Sequence, residues 1–328
     1  MSTETVQHKP VMPAEMISGL CVRREGNYVD ATLGRGGHSS LLLEKLADEG
    51  RLIMLDRDPQ AIAAANQRFG ADPRCYVRQS RLSELQSSLN ALGIHQVDGI
   101  MLDLGVSSPQ LEQPERGFSF MHDGPLDMRM DPGSGQPLAD WLQQADAQDI
   151  RKVLFEYGEE RRAGTIARAI VSRRAQQPLQ TTTELARLVS DCLGPAARKS
   201  KKHPATRTFQ ALRIYINDEL QELRNGLAQA LQLLEPGGRL AVLAFHSLED
   251  RIVKRSFNAQ AKPAVGNRRL PQTPDQPPDY RLIGKWLPSA AEIDSNPRSR
   301  SAVLRVIEYC GGVRLGGGEH QPARGVSA

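Results

Sequence analysis

Short apolar segments alternate with helical segments over the first hundred residues, and this alternation constrains the fold more than any other feature. Residues 27–30, 51–56 and 97–103 are apolar runs that each end in an aspartate, and residues 75–77 form a weaker run. Continuous apolar strands separated by helices are typical of a parallel sheet covered on both faces. The chain is therefore expected to fold as an α/β protein around such a sheet.

The same pattern returns in the last third of the chain. Residues 239–245 and 301–309 resemble strands, and a further strand is expected near residues 280–287. Between residues 209 and 234, leucines and isoleucines recur every three or four positions, which predicts one long amphipathic helix. The Glu-Pro-Gly-Gly sequence at 235–238 is expected to end that helix.

The middle of the chain differs from both ends. It opens with a polar loop rich in glycine and proline at 107–137, and helical patterns follow. We therefore expect a helical domain at 107–205, inserted into a discontinuous α/β domain made of residues 1–106 and 206–310. The glycine-rich tail at 311–328 is expected to be disordered.

Composition excludes several classes of protein. The 328 residues include four widely spaced cysteines, which argues against a disulfide framework and fits a reducing, cytoplasmic environment. No window approaches the ~18 consecutive apolar residues of a membrane span, so no membrane partner is expected. The 42 basic and 38 acidic residues give a net charge of +4, which does not by itself indicate a nucleic-acid partner.

A glycine turn and three strand-end aspartates predict a ligand site. The turn Gly34–Gly37 follows Asp30, while Asp56 and Asp103 end two further strands. Parallel sheets bind ligands at the carboxyl ends of their strands, where a carboxylate suits a ribose diol. These residues alone fit either a nicotinamide dinucleotide or S-adenosylmethionine. The third glycine of the dinucleotide motif is replaced by Ser39, which disfavours the dinucleotide.

Seven sequence blocks, in a fixed order, resemble one known family. They are DATLGRGGH at 30–38, LDRDP at 55–59, LDLGVSSPQL at 102–111, ERGFSF at 115–120, PLDMRM at 125–130, HPATRTFQ at 203–210 and FHSLEDR at 245–251. Together they resemble the bacterial 16S rRNA (cytosine N4) methyltransferase H family over about residues 8–309.

The resemblance implies both a fold and an activity. The implied fold is the class I methyltransferase fold, a Rossmann-like, mostly parallel seven-stranded sheet, with an inserted helical domain for substrate recognition. The implied activity is transfer of a methyl group from S-adenosylmethionine to N4 of a cytidine in the decoding centre of 16S rRNA, in the small ribosomal subunit. No metal is required for this transfer, and the dispersed histidines predict no metal site.

The resemblance also implies a set of cofactor contacts. Carried over position by position, they fall on Gly36, Gly37, His38, Asp56, Leu82, Asp103 and Gln110. The family usually has an aromatic residue where this chain has Leu82. Leucine can still pack on an adenine face, but it offers no aromatic stacking.

Asp103 is the candidate catalytic residue. The cytosine amino group is a poor nucleophile, and accepting a hydrogen bond from its protons localises its lone pair for attack. Asp103 stands where many amino methyltransferases place an Asp or Asn for this purpose, yet the resemblance assigns it to the cofactor. Backbone carbonyls of residues 107–109 are equal candidates for holding the amino group.

Charge points to an RNA-binding segment. Residues 192–217 contain six basic and no acidic residues. The candidates for phosphate contacts are Lys199, Lys201, Lys202 and Arg207. Phe118 and Phe120 are candidates for stacking on a base presented out of its helix, and packing of the insertion on the core explains them equally well.

Two other functions remain open at this stage. A nicotinamide-dependent oxidoreductase would share the glycine turn, and a cofactor-binding titration separates it from a methyltransferase. A non-catalytic RNA-binding or ribosome assembly factor would share the fold and the basic surface, and a methyl-transfer assay distinguishes it from a methyltransferase. The oligomeric state is not defined by sequence, and a homodimer is one candidate.

Overall fold

Seven strands of the described chain form one twisted sheet. The computed structural model describes residues 9–195, 203–262 and 278–311, and all structural statements concern these residues. The strands are β1 Asn27–Asp30, β2 Arg51–Asp56, β3 Cys75–Gln79, β4 Val97–Asp103, β5 Leu234–Ala244, β6 Tyr280–Trp286 and β7 Val303–Tyr309. Their order is β3-β2-β1-β4-β5-β7-β6, and β7 alone runs antiparallel to its neighbours. The predicted class I methyltransferase fold is confirmed.

Helices lie on both faces of this sheet and in a separate layer. They are α1 Pro13–Leu20, α2 Gly37–Leu43, α3 Pro59–Phe69, α4 Leu85–Asn90, α5 Ser108–Glu112, α6 Leu138–Gln144, α7 Ala147–Gly158, α8 Ala163–Arg174, α9 Thr182–Leu193, α10 Thr206–Ile216, α11 Glu219–Leu233, α12 Ser247–Gln260 and α13 Ala290–Ser295. Among the described residues, the helices are all too short or too polar to cross a membrane.

Two apolar clusters cover the two faces of the sheet. On β1, Val29 belongs to the cluster formed with α4, α11 and α12, while its neighbour Tyr28 belongs to the cluster formed with α1, α2 and α3. Successive strand side chains point to opposite faces, so an uninterrupted apolar strand serves both clusters. Both faces are therefore buried, as the continuous apolar runs in the sequence predicted.

A third cluster belongs to the helical insertion. It draws on α6 to α10 and on the loop before α6, from Leu126 to Leu212. Helix α10 packs on α7 within this layer, so the layer extends past residue 205, where the sequence placed the domain boundary. The proposed division of the chain stays a prediction, and this contact favours moving the second boundary to about residue 216.

The single long helix predicted from residue 209 to 234 is wrong. Two helices, α10 and α11, occupy this stretch, and the chain turns between them at Asn217 and Asp218. Asp218 has φ +49°, outside the helical region. Asn217 stabilises the break because its side chain accepts from Met130 N at 2.7 Å and donates to Met128 O at 2.7 Å. The apolar spacing continues across the break, so periodicity did not reveal it.

The proline and glycines at 236–238 do not end α11 either. That helix ends at Leu233, and β5 already begins at Leu234. The register of β5 on β4 jumps from Val97 opposite Leu234 to Gly99 opposite Arg239. The Glu-Pro-Gly-Gly sequence therefore forms an irregularity within the strand.

Candidate active site

A cavity of about 590 Å³ opens at the carboxyl ends of the parallel strands. Its sheet side is formed by the ends of β1, β2, β4 and β5. Its opposite side is formed by α10 and by the loop between β4 and α6. The α/β domain and the helical layer therefore share this cavity, which is where an open parallel sheet places its ligands.

The glycine turn after β1 has the backbone conformation that the site requires. Gly34 and Gly36 have φ of +50° and +68°, which L side chains rarely adopt. A Cβ on Gly36 would also lie 2.7 Å from the ring of Phe69. Gly37 begins α2 and lines the cavity with Gly34. Gly36 does not itself line the cavity, and its amide donates to Leu33 O at 2.8 Å. The cavity is bordered instead by Gly37 and His38 at the start of α2.

Two strand-end aspartates lie behind this turn, Asp30 buried and Asp56 half-buried. Asp56 accepts hydrogen bonds from Gly34 N at 2.8 Å and from Asp58 N at 2.9 Å. Asp30 accepts from Ser39 Oγ at 2.6 Å. Burial raises the pKa of each carboxyl to about 6, against these hydrogen bonds. Both line the cavity, so each carboxylate adds negative potential where a cationic or hydroxyl-bearing ligand would be held.

The third strand-end aspartate, Asp103, lies beside His38. His38 is 5% exposed, and its Nε2 lies 3.5 Å from Asp103 Oδ2. Neither ring nitrogen of His38 has a hydrogen-bond partner among the described residues, nor does Asp103 Oδ1. Burial alone would lower the pKa of His38, but Asp103 and Asp30 outweigh it and the pKa lies above its ordinary value.

Leu82 and Gln110 also border the cavity, each with a local structural contact. Leu82 begins a short 3-10 turn and packs against Gly226 of α11. The side chain of Gln110 accepts from Ser107 N and donates to Asp58, both at 2.9 Å. Gln110 therefore shapes the loop after β4 as well as the cavity wall.

Aromatic side chains form the wall that faces the sheet. Phe118 is buried, and Phe120 contacts Phe209 edge-to-face at a centroid distance of 4.8 Å. All three line the cavity. Phe120 also contacts His203 at 4.5 Å, at the start of the segment leading into α10. The structure therefore supports both interpretations of Phe118 and Phe120: they pack the insertion and they border the site.

The predicted RNA-binding residues are described only in part. Lys199, Lys201 and Lys202 lie outside the described residues, as does the tail beyond residue 311. Arg207 is exposed on α10, where its guanidinium donates to Glu159 O at 3.4 Å. Arg251 of α12 lies 3.6 Å from the Glu159 carboxylate. Arg207 is thus one of two arginines beside the carboxyl end of α7.

The sequence interpretation missed a largely buried ionic network, of which Arg213 and His246 line the cavity. Arg213 pairs with Glu219 through two contacts of 2.8 Å, and Glu249 lies 3.1 Å from His246 Nε2. The signal was present, because His246 and Glu249 occupy the N-cap and N3 positions of a capping box on α12. The pKa of Glu249 is lowered by His246 and Arg213, although burial opposes this.

This network does not favour a metal ion. Ligand atoms of Glu219, His246 and Glu249 lie within 4.8 Å of one another. The guanidinium of Arg213 already neutralises Glu219, and Glu249 accepts from Phe245 N at 2.8 Å. A metal would have to displace the Arg213 guanidinium from Glu219, so we interpret the group as a structural link between α10, α11 and α12.

Several groups that line the cavity could contact a methyl-donor cofactor. The carboxylate of Asp103 lines the cavity with its side chain 31% exposed, so it can accept a hydrogen bond from a ligand donor. The helix-terminal amides of Gly37 and His38 and the carboxylate of Asp56 suit the carboxylate and ribose ends of such a ligand. The apolar side chain of Leu82 suits an aromatic base. These residues can therefore hold S-adenosylmethionine.

Comparisons with known proteins agree with this arrangement. A model of the MraW methylase family matches residues 5–310. The ribosomal RNA small subunit methyltransferase H of Xanthomonas oryzae pv. oryzae is 52% identical over 94% of this chain and 90% of that protein. The enzyme of that name from Bordetella petrii is 54% identical over 87% of this chain and 78% of that protein.

Among solved structures, the chain is similar to an rRNA methylase from Streptococcus thermophilus. The superposition includes 94% of this chain and 100% of that one, with 11% identity and a TM-score of 0.41. The family match spans all seven strands and the helical layer. The chain therefore belongs to the MraW methylase family, as a methyltransferase whose methyl donor is S-adenosylmethionine.

Proposed function

We propose that this protein methylates N4 of a cytidine in the decoding centre of 16S rRNA, within the small ribosomal subunit. The observation that carries the proposal is the shared cavity, in which strand-end carboxylates face an aromatic wall. Such a cavity can hold a nucleobase extruded from its stack beside a cofactor on the sheet edge. The relatives' names, which specify ribosomal RNA of the small subunit, support the substrate class.

When bound, S-adenosylmethionine would supply a methyl group activated by its sulfonium. N4 would take that methyl group, and the electron pair of the broken carbon–sulfur bond would stay on sulfur. N4 then has one proton too many. The Asp103 carboxylate is proposed to accept that proton, because it lines the cavity at the end of β4 and its side chain is 31% exposed there. Close alignment of the two reactants can contribute about 7–11 kcal/mol in favourable cases.

The residues proposed to hold the cofactor are those that surround its end of the cavity. Backbone amides of Gly37 and His38 would hold the amino-acid end. Gly36, whose amide donates to Leu33 O, would contribute through its left-handed backbone conformation. The Asp56 carboxylate would accept from ribose hydroxyls, and Leu82 would pack on adenine. Gln110 would act by fixing the loop that follows Asp103, since its amide already joins Ser107 to Asp58.

The substrate is proposed to lie across the helical layer. Lys199, Lys201, Lys202 and Arg207 would contact phosphates, because the chain carries no acidic residue between positions 192 and 217. A cytoplasmic location is proposed, and the four cysteines, all free thiols, support it. A homodimer is retained as a candidate assembly, which light scattering of the purified chain tests.

The test is methyl transfer from radiolabelled S-adenosylmethionine to small subunits that lack the modification, followed by nucleoside analysis. N4-methylcytidine at one decoding-centre position is expected. Asp103→Ala should abolish transfer while the fold is retained, and Asp48→Ala, at an exposed turn, should not change it. A different methylated nucleoside would contradict the proposal. Tight subunit binding without any transfer would favour an assembly factor instead.

A further inference from the structure

One face of α10 forms part of the cavity wall opposite the sheet. Thr206, Phe209, Gln210 and Arg213 line the cavity, and they recur every three or four residues along the helix. Residues at this spacing lie on one side of an α-helix. Arg213 is the charged member of this set, so its contacts decide what this face can bind.

Glu219 fixes the direction of the Arg213 guanidinium. Nε and Nη2 of Arg213 donate to the two carboxylate oxygens of Glu219, each at 2.8 Å. Two parallel hydrogen bonds of this kind hold a guanidinium in a defined orientation. The two side chains are 15% and 10% exposed, so water competes little for this pair.

The third nitrogen of the guanidinium takes no part in this pair. Nη1 of Arg213 has no hydrogen-bond partner among the described residues, and it is not one of the unpartnered atoms that are closed off from solvent. His246 differs in this respect, because its Nε2 is closed off. Since Arg213 lines the cavity, Nη1 is an oriented donor that a bound molecule can reach.

The charges around Arg213 disfavour a phosphate at this position. Glu219 already neutralises the guanidinium, and Glu249 is a second carboxylate that interacts with Arg213 electrostatically. Two carboxylates beside one guanidinium repel an anion, whereas a neutral carbonyl oxygen is repelled far less. Phe245, whose backbone amide donates to Glu249, also borders the cavity. Nη1 therefore suits a neutral oxygen acceptor on a nucleobase.

Cytosine carries such an acceptor beside its reactive edge. Cytosine and adenine both have an amino group next to an unprotonated ring nitrogen. On the other side of that nitrogen cytosine has the carbonyl oxygen O2, whereas adenine has a C–H group. A site that donates to O2 would be left with an unpaired donor by adenine, and it would therefore reject that base. A donor at O2 also limits rotation of the ring in its plane, which directs N4.

We propose that Arg213 is a specificity-determining residue that donates from Nη1 to O2 of the target cytosine, while Glu219 holds it through Nε and Nη2. This inference rests on the proposed function. Arg213 keeps all of its protons, and no bond to it forms or breaks during methyl transfer.

A cycle between one protein group and one substrate atom tests this contact. Small subunits are reconstituted with 16S rRNA that carries either cytidine or 2-thiocytidine at the target position, because sulfur is the weaker hydrogen-bond acceptor. With the wild-type enzyme, the sulfur substitution should lower kcat/KM about 10-fold or more. Arg213→Lys keeps a charge beside Glu219 but lacks the planar fork, so with this variant the substitution should cost less than about 3-fold. Equal penalties with both enzymes would overturn the proposal.

Arg239→Lys is the matched control. Arg239 pairs with Glu308 at 2.8 Å, its side chain is 17% exposed, and it does not line the cavity. This variant should retain the full penalty of the sulfur substitution. A penalty that disappears with Arg239→Lys as well would assign the effect to general loss of stability and contradict the proposed contact.

Arg213→Gln replaces Arg213→Lys if the lysine variant does not fold, as judged by thermal unfolding. Its amide is neutral and shorter than the guanidinium, and it can donate to Glu219 without reaching beyond it. The sulfur penalty should again fall below about 3-fold. The wild-type measurement needs no variant, so a wild-type penalty below about 3-fold overturns the proposal in every case.

The two proposals fail in distinguishable ways. A wild-type enzyme that methylates another nucleoside of the natural subunit contradicts the proposed function. A wild-type enzyme that methylates N4 of cytidine and of 2-thiocytidine with equal kcat/KM contradicts the role of Arg213 alone.

Discussion

At the scale of single residues, the site combines groups that stabilise the fold with groups that the fold tolerates at a cost. Asp58 belongs to the first kind, because it caps α3 and pairs with Arg116 at 2.9 Å. Asp30 belongs to the second kind, because burial opposes its ionisation. Natural proteins retain such costly groups mainly at functional sites.

Asp30 gives a prediction about stability and pH. Its pKa in the folded chain is about 6, above the ordinary value near 4, so the folded state binds more protons than the unfolded state between these pH values. The free energy of unfolding therefore falls as pH rises through this window. Asp30→Asn should raise stability at pH 7 by about 1–3 kcal/mol and leave it nearly unchanged at pH 4.

Urea unfolding of the cofactor-free protein at the two pH values measures this effect. Asp48→Asn, at an exposed site, is the control and should shift stability by at most about 0.5 kcal/mol. A variant at position 30 that is equally destabilised at both pH values would show that the hydrogen bonds of Asp30 outweigh its burial.

Leu82 gives a prediction about packing behind the cofactor. A Cβ on Gly226 would lie 2.2 Å from Leu82 Cγ, so Gly226→Ala must displace Leu82. We expect a loss of about 1–3 kcal/mol in stability, together with weaker S-adenosylmethionine binding by calorimetry. In a Leu82→Ala background the same change should instead stabilise by about 0.5–1 kcal/mol, because alanine favours the helix. Destabilisation of similar size in both backgrounds would refute the contact.

At the scale of elements, the break between α10 and α11 joins the helical layer to the cofactor edge of the sheet. Asn217 is 2% exposed, and its side chain bonds the backbone around Met128, while its own carbonyl accepts from Arg57 at 2.6 Å. Met128 has φ +61°, a costly conformation for a residue with a side chain. The hydrogen bonds of Asn217 hold the loop in that conformation.

Removal of the Asn217 side chain should therefore be costly. Asn217→Ala leaves Met130 N and Met128 O without their partners, at about 1–3 kcal/mol for each group that stays buried. Asn225→Ala, on the exposed face of α11, should cost less than about 0.5 kcal/mol. Chemical denaturation of both variants provides the measurement, and equal stabilities would contradict the role of Asn217.

Some elements could be predicted from the local sequence pattern and others could not. Strands β1, β2 and β4 were predictable because their apolar runs end in turns or acids. The break at Asn217 was not, because a tertiary contact with Met128 and Met130 stabilises it and the apolar spacing runs through it unchanged. The start of β5 was missed because its pairing with β4 absorbs Pro236 and two glycines as an irregularity.

At the scale of the whole molecule, the basic segment gives a prediction about RNA affinity. Reversing Lys199, Lys201 and Lys202 to glutamate should weaken binding to small subunits and reduce its salt dependence. The slope should fall by about one for each phosphate that the protein no longer neutralises. Filter binding over a range of salt concentrations measures both quantities.

Arg24, Lys45 and Arg51 provide the matched control. All three are exposed, and Arg51 is the first residue of β2, at the edge of the sheet opposite the cavity. The same change of net charge there should leave the slope nearly unaltered. Equal effects of the two triple reversals would indicate that net charge, rather than the basic segment, governs binding.

The sequence by itself determined the class of fold and most of the cofactor edge. Alternating apolar strands and helices require a covered parallel sheet, and parallel strands place Asp30, Asp56 and Asp103 at one edge. Only the tertiary structure decided which groups meet there. His38 joins Asp103, Arg213 joins Glu219, and Phe120 joins Phe209, because α2, α10 and α11 converge on the cavity from distant parts of the chain. The local periodicity of apolar residues predicts which segments are strands and which are helices. It does not predict contacts between residues far apart in the chain, because these depend on how the elements pack.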